Sequence, residues 1–323
     1  MKRLFLFITI GAALCMASCV DENYDLTKLD TSNTALGGDE SEFLMPLLTM
    51  KFSAGSFSQE SSDGTSSIAQ LSDNINVWLP SKLPGNVDYV DIQALGNEPE
   101  YRTSLLENLF AEMTDDESKR SLVCTHIINL YLEELLDALA ESSNMALKLA
   151  TSQIGKLSDQ DKATLLGEVF LAFPDDVEGI LEDISNNDLI DTSIDDIYAD
   201  MPMVDISEDI RMMLSENLDP SSEPNPINAL YLFGKVNSNF PFKLQIHPRV
   251  EQTQIDLGEI TIDNAPTDIE QTRIYQEDLQ TLFNGAQLIM PIKIERYYPN
   301  MKLDDNSQIS ISISLRKTGG LKI

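Results

Sequence analysis

Gln308-Ile309-Ser310-Ile311-Ser312-Ile313-Ser314-Leu315 sets an aliphatic side chain at every second position and a polar one between. A period of two marks a strand with one face in a core, because successive side chains of extended chain point to opposite faces. The same period returns upstream: Leu230, Leu232 and Val236 share one face, and Phe242, Leu244 and Ile246 form the next. Gly258 shifts the alternation between Ile255-Leu257 and Ile260-Ile262, as a bulge does. A short helix over Glu277 to Phe283 stops at Asn284-Gly285, a left-handed cap, and leads into a strand through Ile292 and Ile294. Residues 226–323 therefore read as a C-terminal β-sandwich.

Working back toward the N-terminus, the period becomes helical over residues 99–217. Thr114-Asp115-Asp116-Glu117 reads as a capping box, in which a hydroxyl and a carboxylate satisfy each other's unpaired backbone amides. Further helix starts lie at Ser158-Asp159-Gln160-Asp161, Pro174-Asp175-Asp176 and Ser207-Glu208-Asp209. A bundle of roughly four to six helices is expected, its central member around Ile127 to Leu139, where the apolar arc is wide. Cys124, Ile128, Tyr131, Leu135 and Leu139 fall on one face of that helix, so Cys124 reads as a small buried hydrophobe. Residues 43–98 read as an N-terminal β region of short strands, from the alternation of Pro46, Leu48, Met50 and Phe52 and of Ile75, Val77 and Leu79. Asn217 to Asn228, with Pro220, Pro224 and Pro226, reads as a linker. The fold class is α+β, a helical bundle block between β-rich regions. Whether the N-terminal strands stand apart or complete the C-terminal sandwich is open at this level. Asn225-Pro226-Ile227, followed by Asn237 and Asn239-Phe240-Pro241-Phe242, is similar to Ig-like sandwich domains of late-embryogenesis-type proteins. That resemblance implies an Ig-like architecture for the last domain and nothing further.

Lys2 and Arg3 precede an apolar run from Leu4 to Leu14, and Met16-Ala17-Ser18-Cys19 follows. A run this short is a signal-peptide core, since crossing a bilayer takes about 20 apolar residues. The pattern resembles a bacterial lipoprotein signal with its lipobox, Met16 standing where Leu is usual. The resemblance implies that residues 1–18 are a signal peptide, that Cys19 is lipidated, and that residues 19–42 are a polar tether. Asp21 and Glu22, just after that cysteine, resemble the surface-export signal of Bacteroidota lipoproteins. Asn23-Tyr24-Asp25-Leu26 with Asp30-Thr31 resembles the start of a group of uncharacterised lipoproteins from those bacteria. This implies a lipid-anchored protein of the outer membrane facing the cell exterior, with the periplasmic face as the alternative. No activity comes with that group.

Lys and Arg number 22 against 53 Asp and Glu, for a formal net charge of −31. Nucleic acid is excluded as a partner, because its binding draws on cationic side chains that release counterions. Anionic head groups are repelled as well, so the only membrane contact expected is the N-terminal anchor. Of the three cysteines, only Cys124 remains a free thiol once Cys15 leaves with the signal and Cys19 is acylated, so no internal disulfide is expected.

Asn186 to Asp196 and Asp304-Asp305-Asn306 are acidic but lack the alternating ligands and fixed glycine of a calcium loop. His126 and His247 have no Cys, His or Glu at ligand spacing, and the signatures of zinc hydrolases, serine hydrolases and nucleotide-binding loops are missing. No metal, cofactor or catalytic residue is therefore expected. A glycosidase needs only two carboxylates at the right separation, which spacing along the chain does not reveal. Trp78, Tyr297 and Tyr298 are the candidate glycan contacts, since exposed rings stack on sugar faces. Three readings follow: a non-enzymatic binding or structural component of the envelope, a glycan-binding accessory of a polysaccharide uptake system, and a glycoside hydrolase. The partners they imply are a glycan or an envelope or host-surface protein.

Overall fold

The computed structural model describes residues 42–61, 64–201, 203–204, 206–215, 218–220, 227–304 and 306–319. Cys19, Asp21, Glu22 and the tether lie outside the described residues. In chain order the elements are β1 (Glu42–Ser53), β2 (Ser58–Ser61), β3 (Gly64–Ser67), α1 (Ile68–Val77), β4 (Val90–Asp91), α2 (Ile92–Asn97), α3 (Pro99–Asp115) and α4 (Glu117–Leu130). There follow α5 (Leu132–Glu141), α6 (Met145–Ile154), α7 (Asp159–Ala172), α8 (Pro174–Leu189), β5 (Ile197–Met201) and α9 (Glu208–Ser215). The rest are β6 (Leu230–Ser238), β7 (Phe242–Ile246), β8 (Arg249–Val250), β9 (Ile260–Ile262), β10 (Thr267–Ile274), α10 (Gln276–Asn284), β11 (Ala286–Met290), β12 (Ile292–Tyr297) and β13 (Gln308–Thr318). The chain is α+β and divides into two compact units. Among the described residues, one draws on those within 42–60, 194–293 and 303–319, the other on those within 61–193 and 294–302.

The first unit is a sandwich of antiparallel sheets. Its main sheet has the order β1-β13-β6-β10 and a second has the order β5-β11-β8, while β7 pairs with β9. Ile309, Ile311, Ile313 and Leu315 are buried along β13, as the alternation requires. β1 pairs with β13 from Glu42↔Thr318 to Ser53↔Gln308, so the N-terminal strand completes the C-terminal sheet. The register shifts between Pro46 and Leu48, and both Leu47 and Leu48 are buried. A bulge at this point fits a proline, which has no N–H to give the ladder. β6 runs against β13 at Gly234, where a Cβ would lie 2.1 Å from the Ser312 carbonyl oxygen. Only glycine permits that approach.

The second unit is the helical block, and three expectations are corrected there. Residues 43–98 are not one β region: Ile75 and Val77 lie on α1, where Ile75 shares a buried face with Ile68 and Leu71. Three alternating residues mimic a strand, but Ile68, Leu71 and Ile75 carry the helical period. Thr114 is not a cap, since its hydroxyl donates back to the Phe110 carbonyl within α3. Asp116 caps α4 instead, accepting from the amides of Ser118 and Lys119. The expected central helix is two, broken at Tyr131, whose backbone (φ −127°, ψ 29°) lies outside the helical region. The other starts hold: Ser158 caps α7 by accepting from the Asp161 amide, and Pro174 opens α8 in the first turn, where its missing N–H costs nothing.

Candidate functional site

In the helical unit three polar side chains meet on Asp188. It sits one residue before the end of α8, with its side chain only 2% exposed. Its Oδ2 accepts from Trp78 Nε1 at 2.7 Å and from His126 Nε2 at 2.7 Å. Its Oδ1 accepts from the Tyr131 hydroxyl at 2.6 Å. Trp78 directly follows α1, His126 lies on α4, and Tyr131 is the hinge between α4 and α5, so one carboxylate holds four helix ends. The rings also pack edge to face around His126, with centroids 6.0 Å away for Trp78 and 5.8 Å for Tyr131.

The chemistry of these groups assigns the protons. An indole nitrogen only donates and a carboxylate only accepts, so His126 must carry its proton on Nε2, which leaves Nδ1 as the other ring nitrogen. Burial raises the Asp188 pKa, but the hydrogen bonds from His126, Tyr131 and Trp78 outweigh it and hold the carboxyl below the usual range. The Tyr131 phenol is pushed well up by burial and by the adjoining carboxylate. Asp188 is thus an anion held by three donors, and Tyr131 is a donor fixed to it. Such an arrangement fixes helices to one another.

Cys124, on the same helix as His126, is buried, and burial lifts its thiol to about 12. It is a packing residue, as its helical face implies. A second histidine–carboxylate pair, His247 Nε2 to Asp256 Oδ1 at 2.7 Å, is exposed on the sandwich. There Asp256 also accepts from the Gly258 amide at 2.8 Å, and this bond, the largest influence on it, lowers its pKa. Gly258 has a positive φ of 72°, which lets its N–H turn back onto that carboxylate.

Two of the three candidate glycan contacts are corrected. Trp78 is wholly buried rather than outward, because its segment is helical and its N–H is drawn to Asp188. Tyr297 is buried on β12, where its hydroxyl shares a hydrogen bond with Ser72 at 2.9 Å and accepts from Asn76 at 2.6 Å. Tyr298 is half-buried beside Tyr89, whose ring lies 4.2 Å beneath the Arg296 guanidinium. Among the described residues no group of three or more His, Cys, Asp and Glu side chains is placed to hold a metal ion.

The Asp188 cluster went unread in the sequence. Asp188 lies in the acidic stretch set aside as a calcium loop, and its partners are 57 to 110 residues away. Tyr131 carried a signal, being the one polar-tipped side chain on an otherwise apolar helical face. No protein-family model matches this chain, and no curated protein matches it.

Proposed function

We propose that this chain is a lipid-anchored outer-membrane protein, facing the cell exterior, that serves as a non-enzymatic binding or structural component of the envelope. The observation that carries the reading is Leu4 to Cys19, an apolar run closing on Ala17-Ser18-Cys19, followed by Asp21 and Glu22. Acyl chains on Cys19 supply the anchor, each buried methylene contributing about 0.8 kcal/mol. The net charge of −31 keeps the body away from anionic head groups. The state of the free thiol supports a non-catalytic role: Cys124 is buried and held protonated.

Protease shaving of intact cells tests the placement, comparing the native protein with Cys19→Ala and with Asp21→Ala/Glu22→Ala. Digestion of the native protein and protection of the variant without the acids is the expected result. Protection of the native protein puts the body on the periplasmic side and refutes the surface reading.

A further inference from the structure

The sandwich unit carries an open groove of about 560 Å³ between α9 and α10. Ile206, Leu279 and Phe283 form an apolar floor, all three buried. Gln276, Gln280 and Asn284 are exposed along one wall at the spacing of successive turns of α10, and Arg211 of α9 stands among them.

Arg211 is poorly satisfied for a guanidinium, which has five N–H donors. Its Nη2 donates to the Val204 carbonyl at 3.3 Å and its Nη1 to Asn284 Oδ1 at 3.5 Å, both long. Its Nε is buried with no acceptor. The Phe283 ring lies 5.5 Å from the guanidinium carbon. Among the described residues no carboxylate lies within ion-pair distance of it, in a chain where acids outnumber bases 53 to 22. Glu208 also lines the groove, one turn before Arg211, without pairing with it. A guanidinium held over a ring and short of acceptors is suited to a planar carboxylate, which takes two parallel N–H donors at once.

We infer that this groove binds a small monocarboxylate bearing several hydroxyl groups, of the sugar-acid kind. The carboxylate meets the Nη edge of Arg211, the hydroxyls meet the α10 amides, and the C–H face of the ring lies on Leu279 and Ile206. The single negative charge is opposed by Glu208, so affinity is modest and sensitive to that residue. The inference rests on the binding role proposed above but not on the anchor, so shaving and binding fail separately.

The test is calorimetric titration of the detergent-solubilised full chain with galacturonate, with galactose as the uncharged counterpart and propionate as the carboxylate without hydroxyls. Galacturonate is expected to bind, and to bind more tightly than either control. Arg211→Met should weaken it about tenfold or more, the loss expected when a charged hydrogen-bonding partner is removed. Gln280→Ala, which leaves the Arg211 contacts intact, should weaken it by a smaller factor, and Glu208→Gln should tighten it. Equal binding of galactose overturns the role of Arg211, and equal binding of propionate overturns the role of the amides. Failure of galacturonate to bind, or unchanged affinity in both Gln280→Ala and Glu208→Gln, overturns the site.

Discussion

Each unit buries an aspartate, and the two are satisfied in opposite ways. In the sandwich unit Asp278 accepts from the amides of Tyr275 and Gln254, each at 3.3 Å, as part of the capping box that starts α10. In the helical unit Asp188 accepts from three side chains, Trp78, His126 and Tyr131. Asp278 therefore secures its own helix start and a loop 24 residues upstream through backbone amides, whereas Asp188 joins side chains 57 to 110 residues away. A buried anion satisfied at long range makes the packing of its unit depend on a single side chain. The sandwich spreads the same task over many paired strand residues.

The largest expected effect is in the helical unit. Asp188→Ala leaves three donors without their acceptor, the Trp78 indole fully buried and the other two half-buried, and should cost about 3 kcal/mol. Trp78, the sole tryptophan, is buried in that unit and reports its unfolding by fluorescence during a denaturant titration. Acid should act on the same point. The folded pKa of Asp188 is depressed, so its contribution is full above about pH 4, the unfolded value, and is lost as pH falls through the folded one. A cluster whose loss leaves the fluorescence midpoint unchanged would remove the contrast between the units.

In the sandwich the sensitive point is backbone approach rather than charge. Gly234→Ala drives a methyl group against the Ser312 carbonyl and should cost about 3 kcal/mol through forced separation of β6 and β13. Circular dichroism during thermal unfolding measures it, and a neutral result would show that the strands yield there. The smallest effect is expected at the exposed histidine–carboxylate pair. His247→Ala should change stability by under about 1 kcal/mol in the same experiment, because exposed ion pairs contribute little. A larger loss would place the sandwich, like the helical unit, under the control of a single polar contact.

Much of the fold is legible in the chain. β6, β7 and β13 bury the residues their alternation names, Gly285 ends α10 with a φ of 91°, and Ser158 and Pro174 begin the helices expected of them. What misled was local ambiguity. Ile75, Val77 and Leu79 alternate over too few residues to separate a strand from a helix, and Thr114 lies two residues before the true cap. The break at Tyr131 has no proline or glycine beside it. It coincides with the hydroxyl contact to Asp188, which is visible only when α8 is in place.

By itself the sequence determined the class of fold, the strand faces, most helix starts and the expectation of an anchored, acidic body, because each rests on neighbours in the chain or on summed composition. Only the tertiary structure decided that β1 joins β13, that Trp78 and Tyr297 turn inward, and that Asp188 gathers His126 and Tyr131. Those outcomes depend on pairings between distant residues, where burial makes every unsatisfied donor costly and so selects the partner that local pattern leaves unnamed.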